Sequence, residues 1–176
     1  MKILKIIGFA LLGLIALFLI VALFLPSTMH IERSIVIEKP VNEVYSKVAD
    51  LTTFGKWNPW TEYEPTAKSS ATGTPGQVGQ VWSWEGKEVG SGNMTVTEVQ
   101  ENKLVKTKLL FTKPMEDESQ SYWALEPQGN STKVSWVFDD AADYPMGRWM
   151  GLMMGGMLGK DFDKGLSNLK KLSEGK

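Results

Sequence analysis

The chain has 176 residues, a length that fits one domain with a short extension. Its 19 basic and 20 acidic side chains give a net charge of −1, without the basic surplus that nucleic-acid binding requires. Cysteine is absent, which excludes disulfides, thiolate nucleophiles and cysteine zinc sites. A catalytic triad or a histidine metal site could be built only around His30, the one histidine. We therefore predict no nucleic-acid partner, no metal and no cofactor.

The N-terminal segment is strongly apolar. Residues 6–25 read IIGFALLGLIALFLIVALFL, an uncharged run that as a helix would rise about 30 Å and cross the hydrocarbon core of a bilayer. The apolar region of a cleaved signal peptide is shorter and precedes a small-x-small cleavage site, whereas LFLP follows here. We therefore predict an uncleaved transmembrane anchor at residues 6–25, after a tail at 1–5 and before a linker at 26–28.

Flanking charges predict the orientation of this anchor. Lys2 and Lys5 precede the apolar run, while Glu32 partly offsets Arg33 after it. Basic residues beside a span remain on the cytoplasmic side of the membrane. We therefore predict a single-pass protein with a cytoplasmic N-terminus and an extracytoplasmic domain, residues 29–176, on the periplasmic or extracellular face.

The domain begins with a strand pattern and ends with a long helix pattern. MHIERSIVIEKP (29–40) alternates apolar and polar residues, the period of a strand, and VNEVYSKVADL (41–51) has apolar residues at helical spacing. From residue 60 to 140, strand and turn signals follow one another at hairpin spacing, with a bulge suggested at Gly90–Gly92. The pattern predicts an antiparallel meander of about six strands and a last helix from about residue 146 to 173.

Several phrases of this domain resemble the SRPBCC superfamily, the START-like or helix-grip fold of polyketide cyclase/dehydrase and lipid-transport proteins. They are IERSIVIEKPVNEVYSKVADLTTFGKWNPW, GTPGQVGQVWSWEGKEVGSGNMTVTEV, STKVSWVF and GKDFDKGLSNLKKL, and the resemblance covers about residues 29–176. It implies an α+β fold in which a curved antiparallel sheet wraps around a long C-terminal helix, here preceded by one transmembrane helix. It also implies a mostly apolar cavity between sheet and helix. No fixed catalytic motif carries over, so catalytic residues stay unassigned.

Three functions fit this combination. The first is a membrane-anchored binding protein for a hydrophobic small molecule or lipid held between the sheet and the last helix. The second is a polyketide cyclase or dehydratase-like enzyme acting on an apolar, ring-containing substrate. The third is a partner-binding module with a filled core. Because the resemblance carries no catalytic residues, we favour binding over catalysis.

The position of the cavity is predicted from the segment GRWMGLMMGGMLGKDF (147–162). Glycines recur at every fourth residue from Gly147 to Gly159, so on a helix they form a stripe that points the same way as Phe162 and Leu166, toward the sheet. This half of the helix has no side chains where the second half packs. We predict that it roofs a cavity whose margin is formed by flexible methionines.

Aromatic residues on the neighbouring elements suggest a bulky or ring-containing ligand, and Arg33 could bind an anionic group of that ligand. The predicted cavity residues are Arg33, Trp57, Trp60, Trp82, Trp84, Trp136, Phe138, Met150, Gly151, Met154, Gly155 and Leu158.

Other interpretations of the same residues stay open. The methionines could bind copper(I) or, together with Trp149, contact a membrane surface. A second transmembrane helix is disfavoured by length, because only about a dozen apolar residues lie between Arg148 and Lys160. The acidic group Asp139, Asp140 and Asp143 is interpreted as a solvated turn. Scattered carboxylates are the only candidates for acid-base chemistry, namely Glu32, Asp50, Glu62, Glu64 and Glu98.

Overall fold

The structure, a computed structural model, describes residues 2–175. In chain order the elements are α1 (Lys2–Phe24), β1 (Thr28–Ile37), α2 (Val41–Ala49), α3 (Leu51–Phe54), α4 (Trp60–Tyr63), β2 (Lys68–Thr72), β3 (Val81–Glu85), β4 (Ser91–Gln100), β5 (Leu104–Lys113), β6 (Asp117–Gln128), β7 (Ser131–Ala141) and α5 (Met146–Glu174).

The strands form one antiparallel sheet in the order β1-β7-β6-β5-β4-β3-β2. β2 to β7 make a meander in which each strand pairs with the next, and β1 pairs with β7 at the other edge. Residues in β1 and β6 alternate between buried and exposed because one face of the sheet packs on the core. The curved sheet and long C-terminal helix confirm the predicted α+β helix-grip fold.

One face of the sheet, here called the concave face, carries the core. Trp136 of β7 pairs with Trp123 of β6, and two residues further along β7, Phe138 pairs with both Ile31 and Ser121. Residues directly opposite one another in an antiparallel ladder point to the same face. All five residues are buried, so the period-two pattern of these strands sets the position of the core.

Two helical segments differ from the prediction. The helix expected over 41–51 ends at Ala49, because Asp50 is extended and its side chain accepts a hydrogen bond from Thr52 N at 2.8 Å, which begins α3. The strand and turn signals expected from residue 60 onward are wrong for Trp60–Tyr63, which form α4. There Asn58 Oδ1 accepts a hydrogen bond from Thr61 N at 3.0 Å, which ties the residue before Pro59 to the first turn of the short helix.

The bulge predicted at Gly90–Gly92 is present. The pairing of β4 with β5 shifts register between Ser91 and Gly92. A Cβ atom on Gly92 would collide with the carbonyl oxygen of Leu110 and stand 2.7 Å from the Trp84 ring. Glycine is required here because backbone and ring approach too closely for any side chain.

α1 is the one helix among residues 2–175 that is long and apolar enough to cross a membrane. Its side chains are largely exposed in the protein alone, and Ala22 is buried. A signal sequence near the N-terminus can also be long and apolar enough to meet this criterion, so the anchor and its orientation stay predictions.

Candidate functional site

The second half of α5 packs on a group of aromatic rings. Phe162 stacks on Trp136 with ring centroids 4.1 Å apart and planes inclined by 6°. Trp136 also contacts Trp57 and Trp123, with centroid distances of 5.4 and 5.5 Å. Such pairs stabilise a core beyond the area they bury. We call this group the aromatic cluster; its members are Phe54, Trp57, Trp82, Trp123, Trp136 and Phe162.

The first half of α5 is packed differently. A Cβ atom on Gly151 would stand 3.7 Å from Cβ of Met29 on β1, and one on Gly159 would collide with the guanidinium of Arg33. Between them, a Cβ atom on Gly155 would have no neighbouring atom within 4 Å outside its own helix. The glycine stripe therefore faces β1 as predicted, with open space at its centre.

The part of the concave face beneath this stripe is here called the open end. Met29, which lies under Gly151, pairs with Asp140 of β7, so both side chains point to the concave face. Ser119 of β6 shares the face of Ser121, the partner of Phe138. The residues that define the open end are Met29, Ser119 and Asp140 on the sheet and Gly151 and Gly155 on α5.

Ser119 brings an unsatisfied polar atom to the open end. Its side chain is 3 % exposed, and its hydroxyl has no hydrogen-bond partner among the residues that the structure describes. Ser121, two residues further, instead donates to Val137 O at 2.7 Å and accepts from Trp136 Nε1 at 3.0 Å. A buried polar atom without a partner costs about 1–3 kcal/mol, which a ligand with a complementary polar group would recover.

Asp140 has an unusual carboxyl group. Burial raises its pKa to about 6, and the negative charge of Asp117, a hydrogen bond shared with that side chain and the charge of Asp143 add to the effect. The backbone N–H of Ala141 acts in the opposite direction. The carboxyl is therefore partly protonated near neutral pH, so it can donate as well as accept a hydrogen bond.

The carboxylates proposed from the sequence for acid-base chemistry have other contacts. Glu64 accepts hydrogen bonds of 2.9–3.1 Å from the backbone N–H groups of residues 87–89, which lower its pKa and fix the turn between β3 and β4. The others lie away from the open end: Asp50 caps α3, Glu62 pairs with Lys164, Glu98 pairs with Lys106, and Glu32 is exposed.

Arg33 points from β1 toward α5. Its Nε lies 3.4 Å from the Asp163 carboxylate, and its Nη1 donates to the backbone oxygen of Glu32 at 2.7 Å. The guanidinium also contacts Gly159. Its partners are therefore protein groups at the boundary between the two halves of α5, and its predicted ligand role stays a prediction.

The predicted cavity residues divide into three groups. Trp57, Trp82 and Trp136 belong to the aromatic cluster, with Trp60, Phe138 and Leu158 packed beside it. Trp84 packs on Phe111 and lines an open groove of about 500 Å³ around β2, β3 and β4. Met150, Gly151, Met154 and Gly155 lie on the first half of α5, where both methionines are partly exposed. Their function in a cavity stays a prediction.

Two important side chains, Trp123 and Ser119, were not predicted from the sequence, and a third, Asp140, was misinterpreted. Trp123, fully buried, is central to the aromatic cluster, and Ser119 shares its face of β6; the alternating sequence ESQSYWALEP contained that signal. The interpretation of Asp139 and Asp140 as turn residues is wrong, because both lie in β7. The contact between Asp140 and Asp117 depends on the pairing of β6 with β7, which no local pattern reveals.

A family model described as polyketide cyclase / dehydrase and lipid transport matches residues 28–174. The chain belongs to this family. No curated protein sequence matches the chain in a sequence comparison.

Solved structures with the same fold include two aromatase/cyclases and a protein from the dynemicin biosynthetic locus. The Zhui aromatase/cyclase from Streptomyces sp. R1128 has a TM-score of 0.62 and 16 % identity, covering 84 % of this chain and 94 % of its own. The di-domain aromatase/cyclase StfQ of the steffimycin pathway has a TM-score of 0.61 and 10 % identity, covering 84 % and 51 %. DynU16 of the dynemicin locus has a TM-score of 0.59 and 18 % identity, covering 84 % and 48 %. This chain thus spans about half the length of StfQ and DynU16, and these likenesses concern the fold.

Proposed function

We propose that the protein binds a hydrophobic small molecule or lipid at the open end, between the sheet and the first half of α5, and that α1 anchors it to a membrane. The observation that carries the proposal is the open space at Gly155. The same helix is tightly packed from Phe162 onward, so the gap belongs to one half of α5 and not to the fold as a whole.

The chemistry of the open end supports an amphipathic ligand. Met150 and Met154 flank the glycine stripe with flexible, polarizable side chains that adapt to varied apolar shapes. On the sheet, the half-buried Asp140 carboxyl offers a polar group beside the apolar Met29, and the Ser119 hydroxyl lies buried on the same face of the neighbouring strand. Binding sites for small molecules commonly combine an apolar wall with a few polar groups that orient the ligand.

A pair of neighbouring glycines gives a matched test. Gly155→Leu fills the open space, whereas Gly156→Leu adds the same side chain one residue further on, at an exposed position with no neighbour within 4 Å. The full chain is purified in detergent, titrated with fluorescent fatty-acid and polyaromatic probes, and analysed by native mass spectrometry for co-purified lipid. We expect Gly155→Leu to weaken probe binding at least about tenfold and Gly156→Leu to leave it unchanged. Equal saturable binding by both variants, or none by the unmodified chain, would refute the proposal.

A cyclase or dehydratase-like activity is the second candidate, and Asp140 favours it. A carboxyl group with a pKa of about 6 beside a ligand can act as a general acid near neutral pH. The family description and the aromatase/cyclase neighbours support an apolar, ring-containing substrate for this second candidate. Compounds of this class, together with any recovered ligand, are incubated with the unmodified chain and Asp140→Asn and analysed for ring closure or loss of water. Product formed by the unmodified chain but not by Asp140→Asn supports catalysis by this carboxyl. Turnover that survives in Asp140→Asn would show that Asp140 is not required for the reaction.

A further inference from the structure

The start of α5 contacts α1, and the outward face of α5 beside this contact has no role in the proposed ligand binding. The rings of Phe18 and Trp149 stack with centroids 5.2 Å apart and planes inclined by 12°. Arg148 Nη1 donates to the carbonyl oxygens of Ala22 and Leu23 at 3.0 and 3.2 Å. The last turn of a helix leaves its carbonyls without partners inside the helix, and a cation there is favourable. The start of α5 therefore holds α1 by its C-terminal end.

This contact sets the depth of Trp149 relative to α1. Phe18 precedes the end of α1 at Phe24 by six residues, about 9 Å along the helix axis. α1 has 23 residues and is about 35 Å long, so it exceeds a hydrocarbon core of about 30 Å by only a few ångströms. If α1 crosses a bilayer with its excess length shared between its two ends, Phe18 and the stacked Trp149 lie about 6–7 Å inside the edge of the hydrocarbon core. This depth falls within the roughly 5–10 Å to which the apolar face of an interfacial helix is buried.

The outward face of α5 beyond Trp149 is apolar and exposed. Leu152, Met153 and Met157 have exposed fractions of 62 %, 73 % and 69 %, although large apolar side chains in such number are rare on a surface in contact with water. On the same face the next residue is Lys160, which is exposed and long enough to reach lipid phosphate. The face thus changes from apolar to basic along the helix, as expected where a helix rises out of an interface.

From this continuity with α1 we propose that Trp149, Leu152, Met153 and Met157 form a membrane-seated surface, which lies in the interface of the bilayer that α1 crosses. The proposal rests on the anchoring part of the proposed function. Met153 and Met157 lie on the side of α5 opposite the glycine stripe, and Leu152 lies on the flank between that side and the stripe. The open end is therefore held beside the lipid headgroups, and the ligand class is one that partitions into the membrane.

The absence of cysteine makes this surface directly measurable, since single cysteines can be introduced and labelled without background. Met153→Cys and Met157→Cys are compared with Lys171→Cys, an exposed position on the same helix that, at 100° per residue, projects in the same direction as Met153. Leu12→Cys, in the middle of α1, reports whether the anchor is inserted. Each full-length variant is labelled with a polarity-sensitive fluorophore and reconstituted into phosphatidylcholine–phosphatidylglycerol vesicles, with and without brominated lipids.

We expect labels at residues 12, 153 and 157 to show blue-shifted emission and a loss of intensity with brominated lipid, and the label at residue 171 to behave as in water. If residue 12 is quenched while residues 153 and 157 match residue 171, the anchor holds but the membrane-seated surface is refuted. If residue 12 is not quenched, both anchor and surface are refuted. The probe-binding experiment with Gly155→Leu is read separately, so failure of ligand binding is distinguishable from either outcome.

Discussion

The two halves of α5 differ in what they contact, although they form one continuous helix. From Phe162 onward the helix buries side chains against the aromatic cluster, and the stacking of Phe162 on Trp136 is its tightest ring contact. Before Gly159 it presents glycine to the sheet and methionine to the outside. One continuous helix thus stabilises the fold with its second half and leaves most of the side chains of its first half without a packed partner.

The largest effect is expected from Phe162→Ala. The side chain is almost fully buried and stacked on Trp136, so its removal loses apolar burial and leaves a cavity. The expected loss is about 3–5 kcal/mol in the free energy of unfolding. Urea denaturation of the full chain in detergent, followed by tryptophan fluorescence, measures it. A loss below about 1 kcal/mol would mean that the second half of α5 is not the packed half.

Matched glycine substitutions should have opposite signs in the two halves. A Cβ atom on Gly165 would stand 2.7 Å from the Trp136 ring and 3.1 Å from Cδ of Pro59, so Gly165→Ala should destabilise the protein by about 1–3 kcal/mol through overpacking. At Gly155 the same change meets no neighbour and improves helix propensity, so we expect a gain of about 0.4–1 kcal/mol. The same denaturation assay measures both. Destabilisation by Gly155→Ala would contradict the open space.

A smaller effect, on the pH dependence of stability, is expected from Asp140, because its carboxyl is only partly buried. Because the folded-state pKa of about 6 is above the ordinary value of 3.8, the folded protein binds more protons than the unfolded chain between these values. This carboxyl therefore makes the protein less stable as pH rises from about 4 to 6, with no further change above. The difference in melting temperature between Asp140→Asn and the unmodified chain should grow over that window. A constant difference would mean that the pKa is not raised.

The smallest effect is expected from Met153→Ala. The side chain is exposed on the outward face of α5, so its removal in detergent should change the free energy of unfolding by no more than about 0.5 kcal/mol. The same substitution should weaken contact with lipid in vesicles. A large destabilisation in detergent would show that Met153 packs against the protein.

The sequence predicted features with a short period better than features that depend on distant contacts. Alternation in β1 and fourfold spacing of glycine in α5 were sufficient to orient both elements, because each pattern reports directly on one buried face. The raised pKa of Asp140 could not be predicted, since it depends first on the burial of the carboxyl in the folded protein and then on the charge of Asp117 from another strand. The contact of Trp149 with Phe18 likewise joins residues far apart in the chain, and neither helix pattern contains it.

The short connection between α1 and β1 has a consequence for how a ligand would be found. Three residues separate Phe24 from Thr28, enough for at most about 10 Å of extended chain, and Ser27 O is held by the N–H of Ala142 at 2.9 Å. With α1 in a bilayer, the domain cannot make excursions into the surrounding solution. It would search for its ligand by lateral diffusion in two dimensions, and any transfer to another compartment would require an acceptor that comes to the membrane.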